Sequence, residues 1–90
     1  MTEAEFRTEL AEHGITPYEV EWAPGRFNAE HAHDFTARGY DLAGEFTLTA
    51  QGVAKRLTAG CDFRLEAGIP HTEQAGSAGA HIVAGRFTAG

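Results

Sequence analysis

The chain has 90 residues with 13 acidic and 7 basic side chains, which give a formal net charge of −6. This length suits one domain, and the acidic balance argues against a nucleic-acid partner or an anionic membrane surface. The single cysteine, Cys61, excludes an internal disulfide and a cysteine-rich zinc module. The charged N-terminus and the lack of a long apolar run predict neither a signal peptide nor a membrane helix, so we expect a cytoplasmic protein.

Residues 1–14 predict a short N-terminal helix. Thr2 and Glu5 have the spacing of a capping box, and Gly14 supplies a C-terminal stop. Phe6 and Leu10 form one narrow apolar stripe, which we expect to pack on a sheet. His13, at the negative end of the helix dipole, needs no further role.

After Gly14 the apolar period changes to two, which is typical of strands. Glycines at regular intervals predict about eight short strands in residues 16–88, with two strands meeting at Ala43–Gly44 and a loop over 76–79. The fold class is therefore all-β with one helix. We expect the barrel core to contain Phe63, Leu65, Ile82 and Val83, and we expect Trp22 and Phe27 to be core or interface aromatics.

Two histidines, His31 and His33, are the first candidates for function. Side chains at positions i and i+2 of a strand share one face, and their Cα atoms lie roughly 6.6 Å apart. Two such imidazoles can bind one metal ion, but the ion needs at least one more ligand. His71 is the candidate for that ligand, because it follows the turn AGIP and begins another strand.

The spacing of glycines around these histidines resembles the cupin superfamily over residues 25–75. Gly25, five residues, His31-Ala32-His33 and Gly44 follow the first cupin motif, and Gly60, Gly68 and His71 follow the second. The resemblance implies a small jelly-roll β-barrel in which His31, His33 and His71 bind a divalent transition metal, namely zinc, iron, nickel, copper or manganese.

The chain also departs from the cupin motifs. Alanine occupies position 37, where the family has a ligating glutamate, and Glu66 and Ala75 replace the proline and the asparagine of the second motif. The resemblance therefore implies no fourth protein ligand. Water, substrate or a side chain from elsewhere has to complete the coordination of the metal.

Residues 37–42 are expected to lie beside this pocket. If Ala37 faces inward, strand alternation turns Gly39 and Asp41 inward as well. Asp41 then either orients a metal-binding imidazole or, if the register shifts by one, is an exposed charge. Arg38 and Tyr40 would line the mouth of the pocket, where the planar guanidinium of Arg38 suits a carboxylate substrate.

Three functions remain open at this stage. The first is a small metal-binding cupin of undefined activity, and the second is an iron-dependent dioxygenase of the thiol or diketone type, since some such cupins lack a ligating carboxylate. The third is a sensing or storage barrel without catalysis. We expect a small-molecule ligand and a homodimer, and we expect no ligand role for Cys61 or His81.

Overall fold

The computed structural model describes residues 1–87, so the last predicted barrel residue, residue 88, lies outside the described part of the chain. Within residues 1–87 there are one helix and six strands, and no helix is both long and apolar enough to cross a membrane. The elements are α1 (Glu3–Glu12), β1 (Tyr18–Trp22), β2 (Phe27–His31), β3 (Thr36–Ala50), β4 (Val53–Leu57), β5 (Asp62–Leu65) and β6 (His71–Phe87).

Two long strands, β3 and β6, pair with each other and belong to both halves of the barrel. The N-terminal half of β3 and the C-terminal half of β6 form one antiparallel sheet with β1 and β5. The other halves of the same two strands form a second antiparallel sheet with β2 and β4. The two sheets fold over each other and enclose an apolar interior, which is the all-β barrel that the sequence predicts.

The glycines that predict turns in mid-sequence mark bends of continuous strands instead. Gly44 lies inside β3 and Gly79 inside β6, each with a positive φ of 81°. A Cβ atom on Gly44 would lie 2.1 Å from the carbonyl oxygen of Gly79, so the two backbones touch where both strands bend. The prediction of two strands meeting at residues 43–44, and of a loop over residues 76–79, is therefore wrong. A positive φ serves a bulge as well as a turn.

The bends also change which residues face inward. In β6 the interior positions are odd before the bend, as at His71 and Ala75, and even after it, as at Ile82 and Ala84. The register of β3 against β6 shifts between Asp41 and Ala43 and again between Gly44 and Phe46. Each long strand thus keeps one apolar side in the barrel although the strict alternation is broken.

The helix is capped and packed as expected. The Thr2 side chain accepts a hydrogen bond from the Glu5 backbone, and the Glu5 carboxylate accepts one from the Thr2 backbone. Phe6 and Leu10 are fully buried against the outer face of the first sheet. The interior core contains Trp22, Phe63, Leu65 and Ile82, whereas Val83 is buried under the helix and Phe27 is 56% exposed.

Arg38 and Tyr40 do not line the mouth of the pocket, which corrects the expectation for both residues. Arg38 is only 7% exposed, and its guanidinium donates to the carboxylates of Glu9 and Asp62 and to the Phe63 carbonyl. The Tyr40 ring packs 5.6 Å from the Phe6 ring. Alternation of the strand does turn these residues away from the interior, but the face they occupy is covered by α1.

Asp41 lies inside the barrel, as the inward register predicts. It pairs with Ile82 in the ladder and is fully buried, and neither carboxylate oxygen has a hydrogen-bond partner among the described residues. Burial raises the pKa of this carboxyl from 3.8 to about 6. No hydrogen bond joins Asp41 to a histidine of residues 1–87, so the proposed orienting role has no contact to support it.

Candidate metal centre

Three histidines meet at one end of the barrel. His31 is the last residue of β2 and pairs with His71, the first residue of β6. His33 lies beyond the end of β2, where its carbonyl accepts a 2.8 Å hydrogen bond from the Gly68 amide. The ring centroids lie 4.3 Å apart for His31 and His71, 4.9 Å for His31 and His33, and 5.1 Å for His33 and His71.

Glu73, which the cupin motif does not indicate, belongs to the same cluster. One of its carboxylate oxygens lies 3.0 Å from Nε2 of His31 and 3.7 Å from Nε2 of His71. Glu73 follows His71 by two residues on β6, so the two side chains share the inward face. That spacing is the same signal that indicates His31 and His33, and it could have identified Glu73 from the sequence.

Two backbone carbonyls fix the orientation of the imidazoles. Nδ1 of His31 lies 2.7 Å from the Ala29 carbonyl oxygen, and Nδ1 of His71 lies 2.9 Å from the Ile69 carbonyl oxygen. A carbonyl can only accept, so each Nδ1 carries the proton and donates it. In a neutral ring the lone pair is then on Nε2, which is the arrangement that metal-binding histidines commonly show.

Nε2 of His71 is a buried ring nitrogen that faces the other side chains of the cluster. His71 is 2% exposed, and its Nε2 atom is buried without a hydrogen-bond partner in residues 1–87. An unpaired buried acceptor is costly unless something satisfies it. A metal ion would satisfy it, because the ligand atoms of His31, His33, His71 and Glu73 all lie within 4.8 Å of one another. Bonds of about 2.1 Å to one ion place ligand atoms up to roughly 4 Å apart, so the four donors fit with small adjustments.

The electrostatics of the cluster favour a neutral His33 ring. Partial burial lowers the pKa of His33, and the neighbouring His31 and His71 rings lower it further. The His33 ring also stacks on Phe35 with centroids 4.6 Å apart. A neutral ring can donate its lone pair to a cation, so these contacts keep His33 in its metal-binding form.

A cavity of about 250 Å³ opens beside the cluster. His33, His71 and Glu73 form one wall, and Ala37 lies in the same lining, so the prediction that residue 37 faces inward is confirmed. Most of the remaining wall is apolar, including Trp22, Phe35, Phe46, Phe63 and Ile82. The volume is slightly below the range of about 300–1,000 Å³ that is usual for ligand pockets, so it suits a small molecule.

The remaining histidines lie away from this cavity. His81 bonds to the carboxylate of Glu19 at 2.7 Å and lines a separate surface cleft. His13 follows the helix, with Nδ1 2.9 Å from the Glu9 carbonyl. Cys61 is half-buried, and hydrogen bonds from Thr58 lower the pKa of its thiol. None of the three belongs to the metal cluster found within the described residues.

Solved structures of other proteins share this fold. An RmlC-like cupin from Shewanella frigidimarina superimposes with a TM-score of 0.69 at 26% sequence identity, over 80% of this chain and 65% of the other. The fold is that of a small cupin domain. KdgF from a Halomonas species matches with a TM-score of 0.69 at 21% identity, over 83% of this chain and 70% of the other.

A third similar structure is Bacillus subtilis oxalate decarboxylase, a protein with Mn(II) centres. It matches with a TM-score of 0.74 at 22% identity, over 82% of this cupin domain but only 21% of the decarboxylase. The domain also spans less than two thirds of the Shewanella cupin. No protein-family model and no curated protein sequence matches the chain.

In this cupin domain the carboxylate comes from a strand that the cupin motif does not indicate. The motif glutamate would project from β3 at Ala37, which lines the cavity but has no donor atom. Glu73 reaches the histidines from β6 instead. Among the fourth ligands that the sequence leaves open, the structure offers a side chain from elsewhere, because Glu73 completes a group of three histidines and one glutamate whose donor atoms could hold a metal ion.

Proposed function

We propose that the domain binds one divalent transition-metal ion through His31, His33, His71 and Glu73. The observation that carries the proposal is the buried, unpartnered Nε2 of His71, which faces three further donor atoms within 4.8 Å. The Nδ1 contacts with Ala29 and Ile69 direct the Nε2 atoms of His31 and His71 toward the Glu73 carboxylate, at 3.0 and 3.7 Å, where one ion can contact all three groups. A metal would supply a positive charge and a Lewis acid at the wall of the cavity.

The mixture of imidazoles and one carboxylate suits several ions. Imidazole is a ligand for zinc, copper, iron and nickel, and a carboxylate adds affinity for manganese. Four protein donors are fewer than the six of an octahedral site, so an ion of that preference would keep positions for water or a small molecule. The nearby cavity of about 250 Å³ gives such a molecule room. We therefore propose a metal-dependent small-molecule site.

The dioxygenase alternative loses part of its basis. It rested on the lack of a ligating carboxylate, as in thiol and diketone dioxygenases, whereas Glu73 supplies one here. No contact in the cavity favours catalysis over ligand sensing, so the proposed function is metal-dependent binding of a small molecule. The expected homodimer stays a prediction for sedimentation to test.

Metal analysis of untagged protein tests the proposal. The protein is unloaded with a chelator, offered manganese, iron, cobalt, nickel, copper and zinc in turn, and assayed by mass spectrometry for metal per chain. We expect about one equivalent of at least one ion in the wild type, and less than a tenth of that in His31→Ala and in His33→Ala. His81→Ala is the matched control, because it removes a histidine outside the cluster and should keep the full equivalent.

Two results would refute the metal site. The first is a wild-type protein that retains none of the six ions, and the second is a His31→Ala variant that retains as much metal as His81→Ala. Circular dichroism of each variant checks the fold. Because His33 is less buried than His71, its replacement tests the site with less risk to the core.

A further inference from the structure

Two arginines at the cavity differ from the other arginines of the chain. The sequence has six arginines, and within residues 1–87 four of them form salt bridges with Asp or Glu, namely Arg7, Arg38, Arg56 and Arg64. Arg26 and Arg86 form none in the described residues, and both line the cavity beside the histidines. Both side chains are exposed at the rim of the cavity, so a protein with a net charge of −6 has two cations without a carboxylate partner in the lining of one cavity.

Aromatic rings hold both guanidinium groups in place. The Arg26 guanidinium lies 4.7 Å from the centre of the Trp22 ring, and the Arg86 guanidinium lies 4.6 Å from that of Phe35 and 5.4 Å from that of Tyr18. Such contacts orient an arginine without neutralising its charge. Nε of Arg86 donates to the Tyr18 hydroxyl at 3.4 Å, so the two terminal nitrogens of Arg86 are the donors left for an anion. A carboxylate can accept from both nitrogens of such a group with two hydrogen bonds.

The position of Arg86 connects this charge with the metal cluster. Arg86 pairs with Ala37 across β3 and β6, so both side chains lie on the inward face. Glu73 is the single acidic residue in the lining of the cavity, and it belongs to the proposed metal site.

We propose that the cavity binds a small organic acid, with its carboxylate held by Arg86 and its apolar body against the aromatic wall, while Arg26 adds a second positive charge to the same lining. The sequence favours Arg38 for binding a substrate carboxylate, but Arg38 already forms salt bridges with Glu9 and Asp62. We therefore assign this role to Arg86. The inference rests on the proposed function, since it names the class of ligand for the same cavity. It is nevertheless testable without metal.

The probes are isobutyrate and cyclohexanecarboxylate, each compared with its uncharged amide. Binding to chelator-treated protein is measured by calorimetry and by the fluorescence of Trp22, which is the only tryptophan and lines the cavity. We expect at least one acid to bind at least tenfold more tightly than its amide. This preference corresponds to one charge-assisted hydrogen-bonded pair.

The variant Arg86→Met keeps an unbranched apolar stem over Phe35 and removes the charge. We expect it to weaken binding of the acid about tenfold and to leave binding of the amide unchanged. Arg56→Met is the matched control, because Arg56 is an exposed arginine that bonds to Glu45 outside the cavity. It should bind the acid as the wild type does.

The outcomes separate this inference from the metal proposal. Equal affinity for acid and amide, no binding of either acid, or an unchanged acid affinity in Arg86→Met would overturn the organic-acid site. The acid–amide comparison in the wild type stands even if Arg86→Met fails to fold. Metal content of Arg86→Met is measured separately, and we expect it to equal that of the wild type. A failed metal assay with a preserved acid preference would remove only the metal site.

Discussion

Replacing Asp41 by asparagine should change how the stability of the domain depends on pH. The Asp41 carboxyl is fully buried, and both of its oxygens lack hydrogen-bond partners in the described residues. Burial penalises the charged form, so the pKa rises from 3.8 to about 6 in the folded protein. Asparagine has nearly the same shape but cannot ionise.

The sign and size of the effect follow from these two pKa values. Between pH 3.8 and about 6 the unfolded chain loses the proton while the folded chain keeps it, which favours unfolding as the pH rises. The stability contributed by Asp41 is thus full below pH 3.8 and lost above about pH 6. A shift of about two units corresponds to about 3 kcal/mol.

Urea unfolding monitored by Trp22 fluorescence measures this contribution. Wild type and Asp41→Asn are compared from pH 4 to pH 8 in the presence of a chelator, so that metal binding does not contribute. Groups common to both proteins cancel in the difference between their unfolding free energies. Over this range we expect the difference to move by about 2.5 kcal/mol in favour of Asp41→Asn, because at pH 4 the Asp41 carboxyl of the unfolded chain is already partly ionised.

A matched control uses Asp34, whose side chain is exposed. Asp34→Asn should differ from the wild type by nearly the same amount at every pH. If the Asp41→Asn difference also stays constant between pH 4 and pH 8, the carboxyl is not held in the interior as described. The reasoning from burial to raised pKa would then fail for this residue.

Three further predictions concern the metal ligand, the helix contact and the bends. Glu73→Gln should weaken metal binding at least about tenfold in a chelator competition, and an unchanged affinity would remove Glu73 from the ligand set. Arg38→Met should lower the unfolding free energy by about 1–2 kcal/mol, because it removes the hydrogen bonds to Glu9, Asp62 and the Phe63 carbonyl while both carboxylates stay partly exposed to water. A change within about 0.5 kcal/mol, as for an ordinary surface substitution, would contradict this. Gly44→Ala should cost clearly more than Gly52→Ala, because both glycines have positive φ but only a Cβ on Gly44 meets backbone. Equal losses in thermal unfolding would show that the close approach does not matter.

The sequence predicts the local features well because local spacing determines them. The capping box at Thr2 and the shared face of His31 and His33 follow from helix and strand periodicity. The inward direction of Ala37 follows from the resemblance to the cupin motif, and alternation then places Asp41 on the same face. The spacing of Glu73 from His71 predicts a shared face in the same way, but the cupin motif places its carboxylate ligand at position 37.

Contacts between distant segments could not be predicted in the same way. Glycine at positions 44 and 79 is typical of a turn. Each lies instead within a continuous strand that bends where the two backbones touch, a contact that the sequence does not predict. Arg38 faces away from the interior, as alternation predicts. That α1 covers it and that Glu9 and Asp62 neutralise it depend on tertiary packing.

The bend at Gly79 links the two halves of the proposed site. His71 and Glu73 lie on β6 before the bend, in the sheet with β2, whereas Arg86 lies after it, in the sheet with β1. One strand therefore carries two of the four proposed metal donors and the cation proposed to bind the acid. Odd-numbered side chains of β6 face the cavity before the bend, and even-numbered ones face it after the bend. Arg86 therefore lines the same cavity as His71 and Glu73. Without that change at the bend, strict alternation would turn Arg86 outward, so the bulge is a requirement of the site as well as of the fold.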